Sequence, residues 1–310
     1  MTRIALATCA ALPDLHEDDA PLVDALAARG VTAQPAVWDD PAVAWEDFDL
    51  VVIRSTWDYA KRHTEFLRWA ADVDTRTRLA NPLPVIAWNT DKHYLRELES
   101  VGVPVVPTQW LEPTRVFTSR ALHTRFPANG DFVIKPAVSA GSIDTGRYTA
   151  MDARSRGLAI THARRLLADN RTVMVQRYMS SVDTVGERAH VFVLGEYSHS
   201  VHKGAMLDGP DVGAEGVYRE ERMSPLEPVE GEVEFARSVV RAARRFFERS
   251  VDGVDLVIEP LLYARVDVVT NDSGEPVLME LELVEPSLFT GLAPGSLDRF
   301  ADAIAARARA

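Results

Sequence analysis

Residues 263–289 read YARVDVVTNDSGEPVLMELELVEPSLF, and this stretch decides the fold. Two β-prone runs flank Asn271-Asp272-Ser273-Gly274, so the stretch predicts a hairpin turning near Ser273 and Gly274. Alternation along a strand puts Arg265 with Asp267 on one face and Glu280 with Glu282 on one face, and the turn sets Asp267 opposite the Glu280 to Glu282 segment. Carboxylates about 5 Å apart repel by roughly 3 kcal/mol per pair at an effective dielectric near 20. Apolar strands seldom carry such a set uncompensated, and a hard divalent cation supplies the missing charge. Oxygen donors without nearby cysteine or paired histidine favour magnesium or manganese over zinc. The competing reading, a solvated charged face on an edge hairpin, suits two acidic residues better than this set.

Outward from the hairpin, 310 residues with 46% hydrophobic content suffice for two or three packed subdomains. The 34 basic and 46 acidic residues give a net charge of −12, which argues against a general nucleic-acid surface. An anionic substrate must then be met by local cations. A single cysteine, Cys9, excludes an internal disulfide framework and fits a reducing cytoplasm. MTRIALATCAALPDLHEDD is too briefly apolar for a signal peptide, and no run is long enough to cross a bilayer, so a cytoplasmic chain without membrane contact is expected.

The first 90 residues alternate strand and helix signals. RIALATC reads as a strand, APLVDALAARG as a helix closed by Gly30, VTAQPAVW and DLVVIRSTW as strands, and EFLRWAADVDTR as a helix, which predicts an open α/β layer. Ligands of such layers sit beyond the carboxyl ends of strands, where Arg54, Ser55, Thr56, Trp57 and Asp58 fall. They form a candidate substrate loop, weighed evenly against a polar loop with Trp57 and Tyr59 in the core. DKHYLRELESVGVPVVPTQWLE opens a second unit with an amphipathic helix from about Asp91. There the strand DFVIKP carries Lys135 into SAGSIDTGR, whose Ser139, Gly141 and Ser142 allow backbone N–H groups to approach an anion. Gly141 and Gly146 have Walker A spacing, but Arg147 and Tyr148 stand where Lys and Ser or Thr are required. A flexible hairpin tip is the bland alternative. TVMVQRYM supplies Gln176, Arg177, Tyr178 and Met179 at a strand edge suited to a purine, with Glu187 or Asp183 as acceptors for ribose hydroxyls. HVFVLGEYSHSVHKGA predicts a hairpin turning at Gly195-Glu196 with Lys203 at its far end, and His199 and His202, an odd step apart, make a poor metal pair.

The order Lys92, Lys135, glycine-rich loop, Gln176, Lys203, then Arg265, Asp267, Glu280 and Glu282 resembles that of ATP-grasp ligases over essentially the whole chain. The resemblance implies an α+β fold in three parts: a Rossmann-like substrate layer (1–90), a central lid (91–175) and a C-terminal metal- and ATP-binding unit (176–310). It also implies ATP with Mg²⁺ or Mn²⁺ as cofactors. Lys92 and Lys135 would meet nucleotide phosphates, Gln176 the adenine, Glu187 the ribose, and Asp267, Glu280 and Glu282 the metal. Arg265 would serve the transition state, and with Lys203 it would neutralise the crowded anions. The family commonly has Asn in place of Glu282 and Glu in place of Gln176. ATCAALPDLHEDD, VVIRSTWDY, GEYSHSVHK and LMELELVEPSLF further resemble the ATP-grasp cyclo-ligases that close the isoxazolidinone ring of cycloserine, which adds Glu285 and Ser287 as substrate candidates. An amino-acid-like small substrate is implied. An intermolecular carboxylate–amine ligase, such as a dipeptide or glutathione-like enzyme, and a nucleotide-binding relative without turnover are the rivals. FADAIAARARA at the C-terminus is amphipathic and suits either its own core or a partner subunit in a homo-oligomer.

Overall fold

The computed structural model describes residues 2–211, 213, 216–218, 222–251, 254–256 and 259–310. Along the chain run β1 (Arg3–Thr8), α1 (Leu22–Ala27), β2 (Thr32–Val37), β3 (Leu50–Ser55), α2 (His63–Asp74), β4 (Leu79–Ala80), α3 (Leu83–Asn89) and α4 (Tyr94–Ser100). Next come β5 (Thr108–Leu111), α5 (Ser119–Arg125), β6 (Asp131–Pro136), β7 (Gly146–Thr149), α6 (Ala153–Ala168), β8 (Val173–Arg177) and α7 (Ser181–Thr184). The last third holds β9 (Glu187–Val193), β10 (Glu196–Lys203), β11 (Met223–Leu226), α8 (Glu230–Arg245), β12 (Arg249–Val251), β13 (Val254–Leu256), β14 (Tyr263–Thr270), β15 (Pro276–Glu282) and α9 (Ser296–Arg309).

Strands β1 to β4 form a parallel sheet in the order β2-β1-β3-β4. Every residue of β3 is buried, as expected of a strand covered on both faces. Ile4 and Leu6 of β1 join one core with Leu22, Leu26, Phe300 and Ile304, whereas Ala5 and Ala7 join another with Phe66, Ala70 and Ile86. The amphipathic C-terminus, α9, therefore covers the chain's own N-terminal sheet beside α1, and Arg29 pins it through Asp298 and Asp302.

A second, antiparallel sheet has the order β5-β8-β6-β7, with α5 and α6 packed on one face through Leu122, Phe132, Ala159 and Leu166. The third runs β11-β10-β9-β14-β15. Its outer face meets Ala236, Val239 and Val240 of α8 and Tyr94, Leu95 and Leu98 of α4. Helix α4 thus packs against the C-terminal sheet, although its sequence directly precedes the second sheet. The β9–β10 turn lies at Leu194-Gly195, one residue earlier than the sequence suggested, because both adopt positive φ (51° and 81°) as a two-residue hairpin turn requires. Ser181–Thr184 form the single helical turn α7. Asn81 and Asn89 lock the N-terminal part to the third sheet: Asn81 donates to the carbonyls of Tyr263 and Leu283 (2.9 and 2.8 Å), and Asn89 to that of Leu281 (2.9 Å). Among the described residues no helix is long and apolar enough to cross a membrane.

Candidate active site

The three sheets enclose a cavity of about 1160 Å³, and the inner face of β14 and β15 is its floor. The register is as the sequence predicts, Arg265 opposite Glu282 and Asp267 opposite Glu280, with the turn closed by Asn271 accepting from Gly274 N–H (3.0 Å). A bulge follows Asp267. β9 pairs with the far edge of β14 and contributes Glu187, while the end of β10 contributes Lys203.

Repulsion among the floor carboxylates is met by four cations that the tertiary fold brings in, Arg265 on β14, Lys203 on β10, Lys135 on β6 and Lys92 ahead of α4, a compensation that the reading of the hairpin left to a metal ion. Arg265 grips Asp267 through Nε and Nη2 (both 2.9 Å) and also donates to Glu282. Lys203 Nζ reaches Asp267 (2.9 Å) and Glu187 (2.8 Å). Lys92 and Lys135 Nζ stand 3.0 and 3.8 Å from the two oxygens of Glu280. Burial raises the pKa of each floor acid, and the local cations decide the outcome. Lys92 and Lys135 overcome burial at Glu280 and hold it below the ordinary range, and Arg265 and Lys203 do so for Asp267. At Glu282 burial, joined by Asp267 and Glu280, prevails over Arg265 and lifts it to about 8. Glu187 is lifted to about 7 by burial and Asp267, against the pull of Lys203. Desolvation also lowers Lys135.

Asp267, expected as a metal ligand, lies beneath the cavity wall at 1% exposure with its oxygens held by Arg265 and Lys203. Among the described residues no three acidic, histidine or cysteine side chains are grouped to hold a metal ion by themselves. Two carboxylates, Glu280 and Glu282, do face the cavity, and that donor set fits magnesium, which takes one or two carboxylates and completes its shell with phosphates and water.

The remaining nucleotide candidates meet along one wall. Ser139, Gly141, Ser142, Gln176, Arg177, Tyr178, Met179 and Glu187 all line the cavity. Lys92 donates to the Ser139 carbonyl (2.8 Å) and hydroxyl (3.1 Å), tying the loop after β6 to the floor. Gly141 has φ +58°, and a Cβ there would sit 2.5 Å from the Tyr218 backbone; one at Gly146 would sit 2.4 Å from Asp211 N. Gly141 thus admits Val217 and Tyr218, and Gly146 admits Asp211, as well as leaving backbone open. β8 is interior to its sheet, not the edge strand expected, and it opens onto the cavity at its end through Gln176 and Arg177, with Tyr178 and Met179 just beyond. Gln176 donates to Thr108 Oγ1 (2.8 Å), and Asp183 is bound by Arg147 and Tyr178 away from the cavity.

At the opposite end the expected substrate loop divides. Trp57 lines the cavity, as do Glu285 and Ser287, but Arg54, Ser55, Thr56 and Asp58 do not. Arg54 is fully buried and bound to Asp19 (2.9 and 2.8 Å), Ser55 donates to Asp19 (3.1 Å), Thr56 is buried, and Asp58 accepts from Trp38 (2.8 Å). They turn inward because β3 is covered on both faces up to its carboxyl end. Sequence reasoning missed His16, Glu17 and Asp18, which line the cavity beyond the carboxyl end of β1. The rule applied to β3 would have found them. The rings of His16, Trp57 and Tyr218 meet edge-on with centroids 5.1 Å apart, and burial lifts Glu285 to about 7 despite its bond from Tyr59.

Residues 4–81 match the family described as D-cycloserine synthetase DcsG, N-terminal domain. The cycloserine biosynthesis protein DcsG of Streptomyces lavendulae is 37% identical over 311 residues, 99% of each chain. The crystal structure of D-cycloserine synthetase DcsG superposes with a TM-score of 0.85 at 35% identity, covering 99% of both chains. D-alanine–D-alanine ligase from Bacillus anthracis, complexed with ATP, shares the fold at a TM-score of 0.65 and 13% identity, covering 100% of this chain and 99% of that one. The chain belongs to the DcsG family of ATP-grasp enzymes and is an ATP-dependent ligase.

Proposed function

We propose that this ligase acts on O-ureido-D-serine in the cytoplasm, using ATP to convert its carboxylate into an acyl phosphate. The ureido nitrogen bonded to oxygen then attacks the acyl carbon of the same molecule. A C–N bond forms, phosphate departs with the bonding pair, and the nitrogen gives up its proton. Water removes the carbamoyl group as CO2 and ammonia, leaving D-cycloserine, ADP and phosphate. The observation that carries this reading is the convergence of Lys92, Lys135, Lys203 and Arg265 on the carboxylate floor of the cavity.

In this reading Lys92 and Lys135 meet the nucleotide phosphates, Gln176 and the chain to Met179 meet adenine, and Glu187 meets ribose. Arg265 and Lys203 face the charge that builds as phosphate transfers. Magnesium, held by Glu280 and Glu282 with Asp267 behind them, would neutralise phosphate oxygens when bound. Residues 1–90 and the tail at Glu285 and Ser287 serve the amino-acid substrate, 91–175 the lid and 176–310 the metal end. The chain itself supplies no covalent nucleophile. It aligns two groups of one molecule and excludes water from a hydrolysable intermediate.

The test is release of ADP and phosphate with Mg²⁺ across O-ureido-D-serine, its L enantiomer, and single or paired amino acids. Turnover with O-ureido-D-serine alone, giving a cyclic product by mass, is expected. Turnover that needs an amino-acid pair would overturn it in favour of an intermolecular ligase.

A further inference from the structure

Three consecutive carbonyls near the substrate end of the cavity are each held by a different side chain. Trp57 Nε1 donates to the Glu285 carbonyl (3.0 Å), Arg54 Nη2 to that of Pro286 (2.7 Å), and Arg265 Nη1 to that of Ser287 (3.0 Å). The side chains of Glu285 and Ser287 line the cavity, whereas Arg54 is fully enclosed and does not. Arg54 also holds Asp19, which accepts from Ser55 Oγ, and Ser55 Oγ in turn accepts from His16 N–H (3.0 Å). One residue along, Asp18 accepts from Phe289 N–H (2.6 Å). The guanidinium packs against both Tyr263 and Phe300, 5.2 and 5.3 Å from the centroids of two rings that themselves meet edge-on.

We infer that Arg54 is a positioning residue for the amino-acid substrate: its planar fork fastens the loop after β1 to the loop after β15. These loops present His16, Glu17 and Asp18 on one side of the cavity and Glu285 and Ser287 on the other. One guanidinium serves both loops because its donors point in fixed directions, which an ammonium group cannot imitate. The nucleotide wall hangs on other elements, β6, β8 and β9. Loosening this fastening therefore alters amino-acid binding and leaves nucleotide binding alone. The inference rests on the proposed ligase reaction only for which substrate is used.

The experiment compares Arg54→Lys and Asp19→Asn with the parent enzyme. For Arg54→Lys, KM for the amino-acid substrate is expected to rise about tenfold or more, the cost of one lost charge-assisted bond, with kcat less affected and ADP affinity within about twofold. Asp19→Asn, which keeps the shape and weakens the fork, should shift KM in the same direction by less. Equal losses in KM and ADP affinity, or no change in KM, would overturn the inference. A readout without substrate separates it from the reaction assignment: amide hydrogen exchange of the unliganded variants should quicken in 12–19 and 284–290 only. Uniform quickening, or none, would overturn the positioning role, whereas a parent enzyme that ignores O-ureido-D-serine would overturn only the reaction.

Discussion

Arg54 and Arg265 each hold an aspartate through two nitrogens inside the same protein, yet their surroundings differ. The Arg54–Asp19 pair is closed: aromatic rings cover the guanidinium, the Pro286 carbonyl accepts from Arg54, the Ser55 hydroxyl donates to Asp19, and neither residue reaches the cavity. The Arg265–Asp267 pair opens onto the cavity through Arg265 and is joined by Lys203, Glu187 and Glu282. Where the charges cancel locally, the pair is architecture. Where further carboxylates crowd in, two of them are lifted towards neutrality, leaving a site ready to accept added positive charge or release anions.

The contrast breaks most visibly in turnover. Asp267→Ala should cost about a thousandfold in kcat, the scale of removing a preorganised electrostatic group. Steady-state ADP release measures it, and a loss of less than about threefold would erase the functional distinction between the pairs. Asp19→Ala should show itself in stability instead, lowering the unfolding free energy by roughly 3–5 kcal/mol because it strands a buried guanidinium. Urea titration decides that, and an unchanged midpoint would mean the sealed pair is dispensable.

His162 offers a charge that neither pair controls. Burial, with a further push from Arg165 and against the pull of Asp211, depresses it from the ordinary 6.5 to about 4, and its ring meets the Tyr148 hydroxyl (2.8 Å). The unfolded chain therefore binds the proton more readily. The contribution of His162 to stability is full above pH 6.5 and is lost as pH drops towards 4, by on the order of 3 kcal/mol. Asp267 stays ionised throughout that window and His190 is depressed in the same way by burial, so His162→Gln should reduce the slope in urea titrations at stepped pH by one residue's share; an unaltered slope would assign it elsewhere.

The smallest effect belongs to a third pair of the same type, Arg177–Asp272, 3.1 Å apart with both side chains more than 60% exposed. Asp272→Ala should leave the unfolding free energy within about 1 kcal/mol, since solvent screens such pairs. A larger loss would show that exposure does not set the order.

Much of the floor was legible because strand alternation and a four-residue turn are local rules. They suffice to put Arg265, Asp267, Glu280 and Glu282 on one face. The order of Lys92, Lys135, Gln176 and Lys203 along the chain likewise pointed to one ligase family. The substrate end was read less well. Arg54 looked like a ligand because it is charged and ends a strand, and His16, Glu17 and Asp18 looked like an ordinary loop. Whether a polar residue at a strand end turns into the cavity or into the protein depends on what covers it. Here the covers are Tyr263 and Phe300, more than 200 residues away in the chain.

The sequence by itself therefore determined the strand faces, the open α/β layer at the N-terminus and the set of charged groups on the hairpin, since these follow from residue spacing and neighbouring chemistry. Tertiary structure alone decided how the charges pair, that Asp267 lies behind Arg265 and Lys203, that the C-terminal helix covers its own N-terminal sheet, and which of two arginine–aspartate pairs opens onto the cavity. Pairing energies depend on distance and on the exclusion of water, and both exist only once segments far apart in the chain have packed together.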